Sequence, residues 1–229
     1  MLNIHLSTAF REACPAFVGG LVTARVTNGP TSPELWEEIE ACGRSLRGQY
    51  TTASIKDRPG IAATRLAYKR AGKDPSRYRP ACEQLVRRLL QGKGLYSVDR
   101  LVDAVNLVSL AYGYSTAALD ADKIVGTAVD LDLGQETELY EAIGRGAINI
   151  AHLPVYRDRE GAFASPTSDS VRTRILPETR NIAVLINGYD GNADAVAEAA
   201  RYTLRLLQHY CEGTDGTWTL YGGTGGESA

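Results

Sequence analysis

The chain has 229 residues, 44% of them hydrophobic and 23% charged, and a formal net charge of −2, the profile of an ordinary soluble globular protein long enough to bury a real core. No apolar run approaches the ~18 residues that a membrane helix needs. The cysteines Cys14, Cys42, Cys82 and Cys211 form no CxxC pair and lie far from His5, His152 and His209, so reduced thiols are expected, with no metal and no cofactor.

Met1-Leu-Asn-Ile-His-Leu6 has no basic region followed by an apolar core; it is predicted to be a first strand over 2–6, not a signal peptide, in a cytoplasmic protein. A second strand is predicted over 17–27, and Asn28-Gly-Pro30 then breaks the chain. Thr31-Ser-Pro-Glu34 opens a helix, with Pro33 in its first turn and Thr31 and Glu34 spaced as a capping box. Leu35, Trp36, Ile39 and Leu46 supply its apolar stripe.

Helical periodicity continues over 60–72, 80–91 and 98–112, interrupted by Gly72, Pro75, Pro80 and Gly92-Lys-Gly94. In the second of these helices Leu85, Val86, Leu89 and Leu90 are expected to face inward and Arg87, Arg88 and Lys93 outward. In the third, Leu101, Val105, Val108 and Leu110 form the buried face. Strands are predicted over 124–133, 153–156 and 181–186, the last of a fully buried type. A helix is predicted over 193–210. The expected architecture is α+β, with helices packed on a mixed or mostly antiparallel sheet, in one domain spanning 1–215. The glycine-rich residues 216–229 are expected to be a loose tail.

Charge is distributed unevenly. Lys56–Arg100 holds 12 Lys/Arg against 4 Asp/Glu, leaving 13 basic and 23 acidic residues for the remainder. Such asymmetry offers one face to a polyanion while the protein stays soluble, although a solvated helical face produces the same count. Arg65, Lys69, Arg70, Lys73, Arg77, Arg79, Arg87 and Arg88 are the candidate phosphate contacts. Tyr68 and Tyr78 lie among them, suited either to stacking on an unpaired base or to core packing.

Three pieces carry a family resemblance. They are Ala67-Tyr-Lys-Arg-Ala-Gly-Lys-Asp-Pro-Ser-Arg-Tyr-Arg-Pro80 with Cys82-Glu-Gln-Leu-Val-Arg-Arg88; Val102-Asp-Ala-Val-Asn106 with Leu119-Asp-Ala-Asp-Lys-Ile-Val-Gly126; and Asp158-Arg-Glu-Gly161 with Ser165-Pro-Thr-Ser-Asp-Ser170 and Arg172-Thr173. In this order and spacing the chain resembles the B3/B4 domain of the phenylalanyl-tRNA synthetase β subunit, in free-standing form, over about Ile61–Leu207. In that synthetase the domain carries the site that hydrolyses tyrosine wrongly attached to phenylalanine tRNA. The physical need is clear, because an apolar pocket rejects an isostere bearing one added hydroxyl by only about 100-fold.

The resemblance implies tRNA or aminoacyl-tRNA as partner and ester hydrolysis in trans as activity, without ligase activity by this chain alone; neither DNA nor a membrane is expected. Asn106 matches an asparagine that lines the family pocket. Val105 stands where threonine is frequent, and Ala117 takes the place of a histidine, which motivates an alternative: a non-catalytic module that binds RNA or a free amino acid. Asn106 and Asp103 each have a second reading as structural hydrogen-bonding groups.

The Ser165–Thr173 segment offers short hydroxyls and a carboxylate to an amino group and a ribose. Asn106, Ser168, Asp169 and Ser170 are the candidate catalytic residues, and Val105, Ala117, Ser165 and Thr167 the candidate substrate contacts. An Asx/Ser turn network is the competing reading of that loop. Neither serine has a histidine nearby in sequence, so a nucleophilic serine is not expected. His152 and His209 read as surface or structural residues.

Overall fold

The computed structural model describes residues 2–223. Its first half runs β1 (Asn3–Leu6), α1 (Thr8–Ala13), β2 (Val18–Arg25), α2 (Pro33–Gln49), α3 (Pro59–Arg70), α4 (Ala81–Leu90) and α5 (Arg100–Tyr112). The second half runs β3 (Ser115–Asp120), β4 (Ala128–Leu133), β5 (Glu141–Ala142), β6 (Gly146–Ala147), β7 (Pro154–Asp158), β8 (Gly161–Ala164), β9 (Asn181–Gly188), α6 (Ala193–Tyr210) and β10 (Thr214–Gly222).

The apolar run of β9 explains the layering. Ile182, Val184 and Ile186 pack into one cluster, Ala183 and Leu185 into another. A strand covered on both faces has no polar side to alternate with. β9 pairs antiparallel with β2 and β3, in a sheet ordered β10-β2-β9-β3. On one face, Val22, Val184 and Ile186 pack with Leu35, Ile39, Val86, Leu101, Val108 and Leu206 from α2, α4, α5 and α6. On the other, Leu21, Leu119 and Leu185 pack with Leu131, Tyr156 and Phe163 of a second sheet, ordered β1-β4-β7-β8. That sheet is mixed: β1 and β4 are parallel, the other pairs antiparallel. The expected α+β class, helices on mixed and antiparallel sheets, is the observed one.

Helix ends follow local chemistry. α6 starts at Asn192, whose side chain accepts from the Ala195 amide, and α5 ends at Gly113 in a left-handed conformation (φ 75°) that favours glycine. The buried Arg58 secures the same end, donating to the carbonyls of Leu110 at 2.7 Å and Ala111 at 2.6 Å.

Four expectations change. The cap of α2 is Ser32, not Thr31: its hydroxyl accepts from the Leu35 amide at 3.3 Å, while Thr31 donates to Asp103 at 2.6 Å. The strand predicted from 124 begins at Ala128, and the earlier strand β3 holds Leu119 and Asp120 of the resemblance motif. Helix α1 was not predicted; it is one short segment capped by Ser7. Residues 216–222, expected as loose tail, belong to β10, which pairs with β2 from Thr217↔Thr23 to Gly222↔Val18; residues 224–229 lie outside the described residues. Within the described residues no helix is long and apolar enough to cross a membrane.

Candidate functional site

A cleft of about 560 Å³ opens where α2, α4 and α5 meet the loops at 93–98, 143–145 and 167–169. Its apolar wall is Trp36, Ile39, Leu85, Leu95 and Val102. Leu85 therefore turns toward the cleft, while Val86 and Leu89 of the same helix enter the core.

Asn106 points a half-buried amide into this cleft and makes no hydrogen bond within the described residues. Thr167, Ser168 and Asp169 line the opposite side. The cleft thus joins residues about sixty positions apart in sequence, because the Ser165–Asp169 loop is pinned against α4. Ala81 N–H at the start of α4 donates to the Pro166 carbonyl at 2.8 Å. From beneath, the Tyr68 hydroxyl meets Thr167 Oγ1 at 2.9 Å and the Tyr140 hydroxyl donates to the Ser168 carbonyl at 2.7 Å. Ser165 Oγ donates to the same carbonyl at 2.8 Å and accepts from the Ser168 amide at 3.2 Å, a hydroxyl turn that holds the loop's shape.

Asp169 is the electrostatic anomaly of the site. Its carboxylate makes no ion pair within the described residues, and burial pushes it up to about 8 against a weaker downward pull from a backbone hydrogen bond at Ser165. A carboxylate without a cation partner in a poorly solvated place favours its neutral form.

Four candidates fall outside the cleft. Val105 is packed in the helix-side core and Ala117 in the core between the sheets. Alternate faces of neighbouring elements carry them apart, so they cannot line one pocket. Ser165 is consumed by its loop. Ser170 caps the turn Val171–Thr173, accepting from the Arg172 amide at 3.2 Å.

The basic segment does not form one face. Tyr68 is fully buried and cannot stack on a base. Lys73 is buried, its Nζ donating to the carbonyls of Asn149 at 2.9 Å and Ala151 at 2.6 Å, with Tyr78 stacked on the ammonium at 3.9 Å. Burial, with Arg77 nearby, lowers its pKa. Arg65 and Arg87 close on the fully buried Glu83 at 2.9 and 2.8 Å. Lys69 and Arg70 are exposed on α3, and Arg70 borders a different, smaller cavity beside Cys14 and Tyr189. Arg77 is exposed beside Tyr78.

Of the predicted set, Arg79, Arg87 and Arg88 reach the cleft; Lys93 and Arg145 join them. Arg79, Arg88, Lys93 and Arg145 make no ion pair within the described residues, and Arg88 Nε is buried without a partner. Arg145 comes from the β5–β6 turn, and nothing local in its sequence marks it. Asp103 takes its structural reading, accepting from Thr31, from Ser97 at 2.6 Å and from the Val98 amide at 3.2 Å. Within the described residues no group of three His, Cys, Asp or Glu side chains is placed to hold a metal ion.

Comparison with known proteins gives one family. A search of curated proteins returned no match. Among solved structures, an N-terminal fragment of the phenylalanyl-tRNA synthetase β subunit from Pyrococcus horikoshii is similar, with a TM-score of 0.49 and 12% identity over 95% of this chain. The chain spans half of that fragment (50%). The model of the B3/4 domain matches residues 63–212, which include α4, α5, the Ser165–Asp169 loop and most of the cleft. With well over half of its residues matched, the chain belongs to the B3/4 domain family.

Proposed function

We propose that the cleft binds the aminoacylated 3′ end of a tRNA and hydrolyses a mischarged ester in trans. One observation carries this reading. Among the described residues, the same cleft joins a wall of cations without an acidic partner (Arg79, Arg88, Lys93 and Arg145, the last donating to Gln84) to an interior holding Asn106, whose side-chain amide has no hydrogen-bond partner, and Asp169, whose carboxyl has no cation partner. Phosphates suit the first set. An amino group, an ester carbonyl and a developing oxyanion suit the second. Membership in the B3/4 family supports the same reading through the editing role that the resemblance implies.

Chemically little is demanded of the protein. An aminoacyl ester is already activated, and the vicinal ribose hydroxyl can assist attack of water on the carbonyl carbon. In this reading Asn106 donates its amide N–H to the carbonyl oxygen as charge develops there, and Asp169 accepts from the amino group or the attacking water.

The test is deacylation of Tyr-tRNA(Phe), with Phe-tRNA(Phe) and a panel of other mischarged tRNAs beside it. Selective release of one amino acid is expected, slowed by about 100-fold or more in Asn106→Ala, the usual cost of losing one oxyanion donor. No release from any member of the panel would refute hydrolysis.

RNA binding is tested separately. The double variant Arg79→Glu, Arg145→Glu is expected to weaken tRNA binding and to reduce the slope of log K against log salt by about 2. It replaces the more obvious reversal at Arg87, which would also break the ion pair with Glu83. An unchanged slope would remove this wall from the RNA surface.

The burial of Ala117 at the expected histidine position, and the absence of any histidine from the cleft lining, favour a second reading: a non-catalytic pocket for a free amino acid. Binding there should respond weakly to salt.

A further inference from the structure

We infer that Tyr96 is a stacking platform for the terminal unpaired base of a single-stranded RNA end; the inference rests on the RNA reading above. Tyr96 is 67% exposed, so most of its ring is accessible to a ligand at the cleft rim. One side of the ring is backed by the Arg88 guanidinium at 4.9 Å, which leaves the rest open to solvent. A ring supported by a cation and open to solvent is the arrangement that receives a nucleobase irrespective of its identity.

The loop carrying it is held in place. Gly92 and Gly94 adopt φ of 71° and 63°, which lets the chain turn sharply after α4. Asp103, buried on α5, then accepts from Ser97 Oγ and the Val98 amide. Tyr96 thus stands one residue before a fixed anchor, at the rim of the cleft. Arg88 serves two ends: its plane supports the ring, while its terminal nitrogens, which unlike the buried Nε are open to solvent, are placed to donate to a phosphate adjoining the stacked base.

The experiment uses the full chain and two fluorescent acceptor-stem RNA hairpins. One ends in a single-stranded 3′ overhang with an unpaired adenine; the other is identical but abasic at the terminal nucleotide. Wild type is expected to bind the intact hairpin about tenfold more tightly than the abasic one, the usual effect of one base–aromatic stack. Tyr96→Ala should reduce affinity for the intact hairpin to the abasic level and leave abasic affinity unchanged. Tyr96→Phe should behave as wild type. Salt-sensitive binding of both hairpins that Tyr96→Ala does not alter would overturn this inference and leave the RNA reading standing. An equal loss on both hairpins would also overturn it, because the ring would then act only by holding Arg88. No binding of either hairpin by wild type would defeat the RNA reading itself, and the stacking role with it.

Discussion

Glu83→Ala is expected to lower folding stability by about 3–5 kcal/mol, the usual result of removing one partner from a buried ion pair. Glu83 lies on α4 with its side chain fully buried, and its two oxygens hold Arg65 Nη1 at 2.9 Å and Arg87 Nε at 2.8 Å. Arg65 is also held by the Pro75 carbonyl at 3.1 Å, so it cannot swing freely to water. Removal of the carboxylate leaves two guanidiniums close together with a void between them. Urea denaturation should show the midpoint falling at constant m-value. Glu83→Gln, which keeps the volume and one acceptor, should lose less. A loss below about 1 kcal/mol in Glu83→Ala would mean that the triad contributes no more than a surface pair.

Asp169→Asn is expected to act in opposite directions on stability and on catalysis. In the unfolded chain the carboxyl ionises near 3.8, in the native chain near 8. Between those values the native state holds a proton that the unfolded state has released, so wild-type stability falls as pH rises through that window and levels off above it. The asparagine variant lacks this penalty. It should match wild type near pH 4 and exceed it at pH 9, by on the order of 2 kcal/mol for a half-buried group. Thermal melts at the two pH values measure the difference, and a pH-independent difference would show that Asp169 is solvated as an ordinary aspartate.

For ester release, after subtraction of spontaneous base hydrolysis, the wild-type rate should climb toward a plateau just above pH 8 as the carboxylate forms. Asp169→Asn should be slow and lack that inflection. A variant retaining the wild-type profile would remove Asp169 from the chemistry and keep only its stability effect.

Much of the architecture is written in short-range patterns. α6 is delimited by the Asn192 cap and by apolar residues at helical spacing, and β9 by a run that is apolar at every position, so both were legible without coordinates. β3 was not. Its sequence Ser-Thr-Ala-Ala-Leu-Asp is dominated by residues of weak strand preference, and pairing with β9 makes it a strand. β10 is similar: its threonines and glycines resemble a tail until β2 supplies the partner. The candidate site divides in the same way. Asn106 and the Thr167–Asp169 loop were found from motif order, because each lies in a contiguous piece that the family resemblance marks.

The basic surface was legible only as a total. Composition counts the cations between Lys56 and Arg100, but a side chain's direction depends on partners that arrive from elsewhere in the chain. Arg65 turns to Glu83, 18 residues on, and Lys73 to carbonyls 76 and 78 residues on. Arg145 is brought to the rim from the β5–β6 turn. The sequence by itself determined the class of fold, most helices and central strands, and the chain's family. The tertiary structure alone decided which cations are spent on buried acceptors and which reach the cleft without an acidic partner among the described residues, because periodicity is encoded within a turn or a strand while charge pairing is settled where distant segments meet.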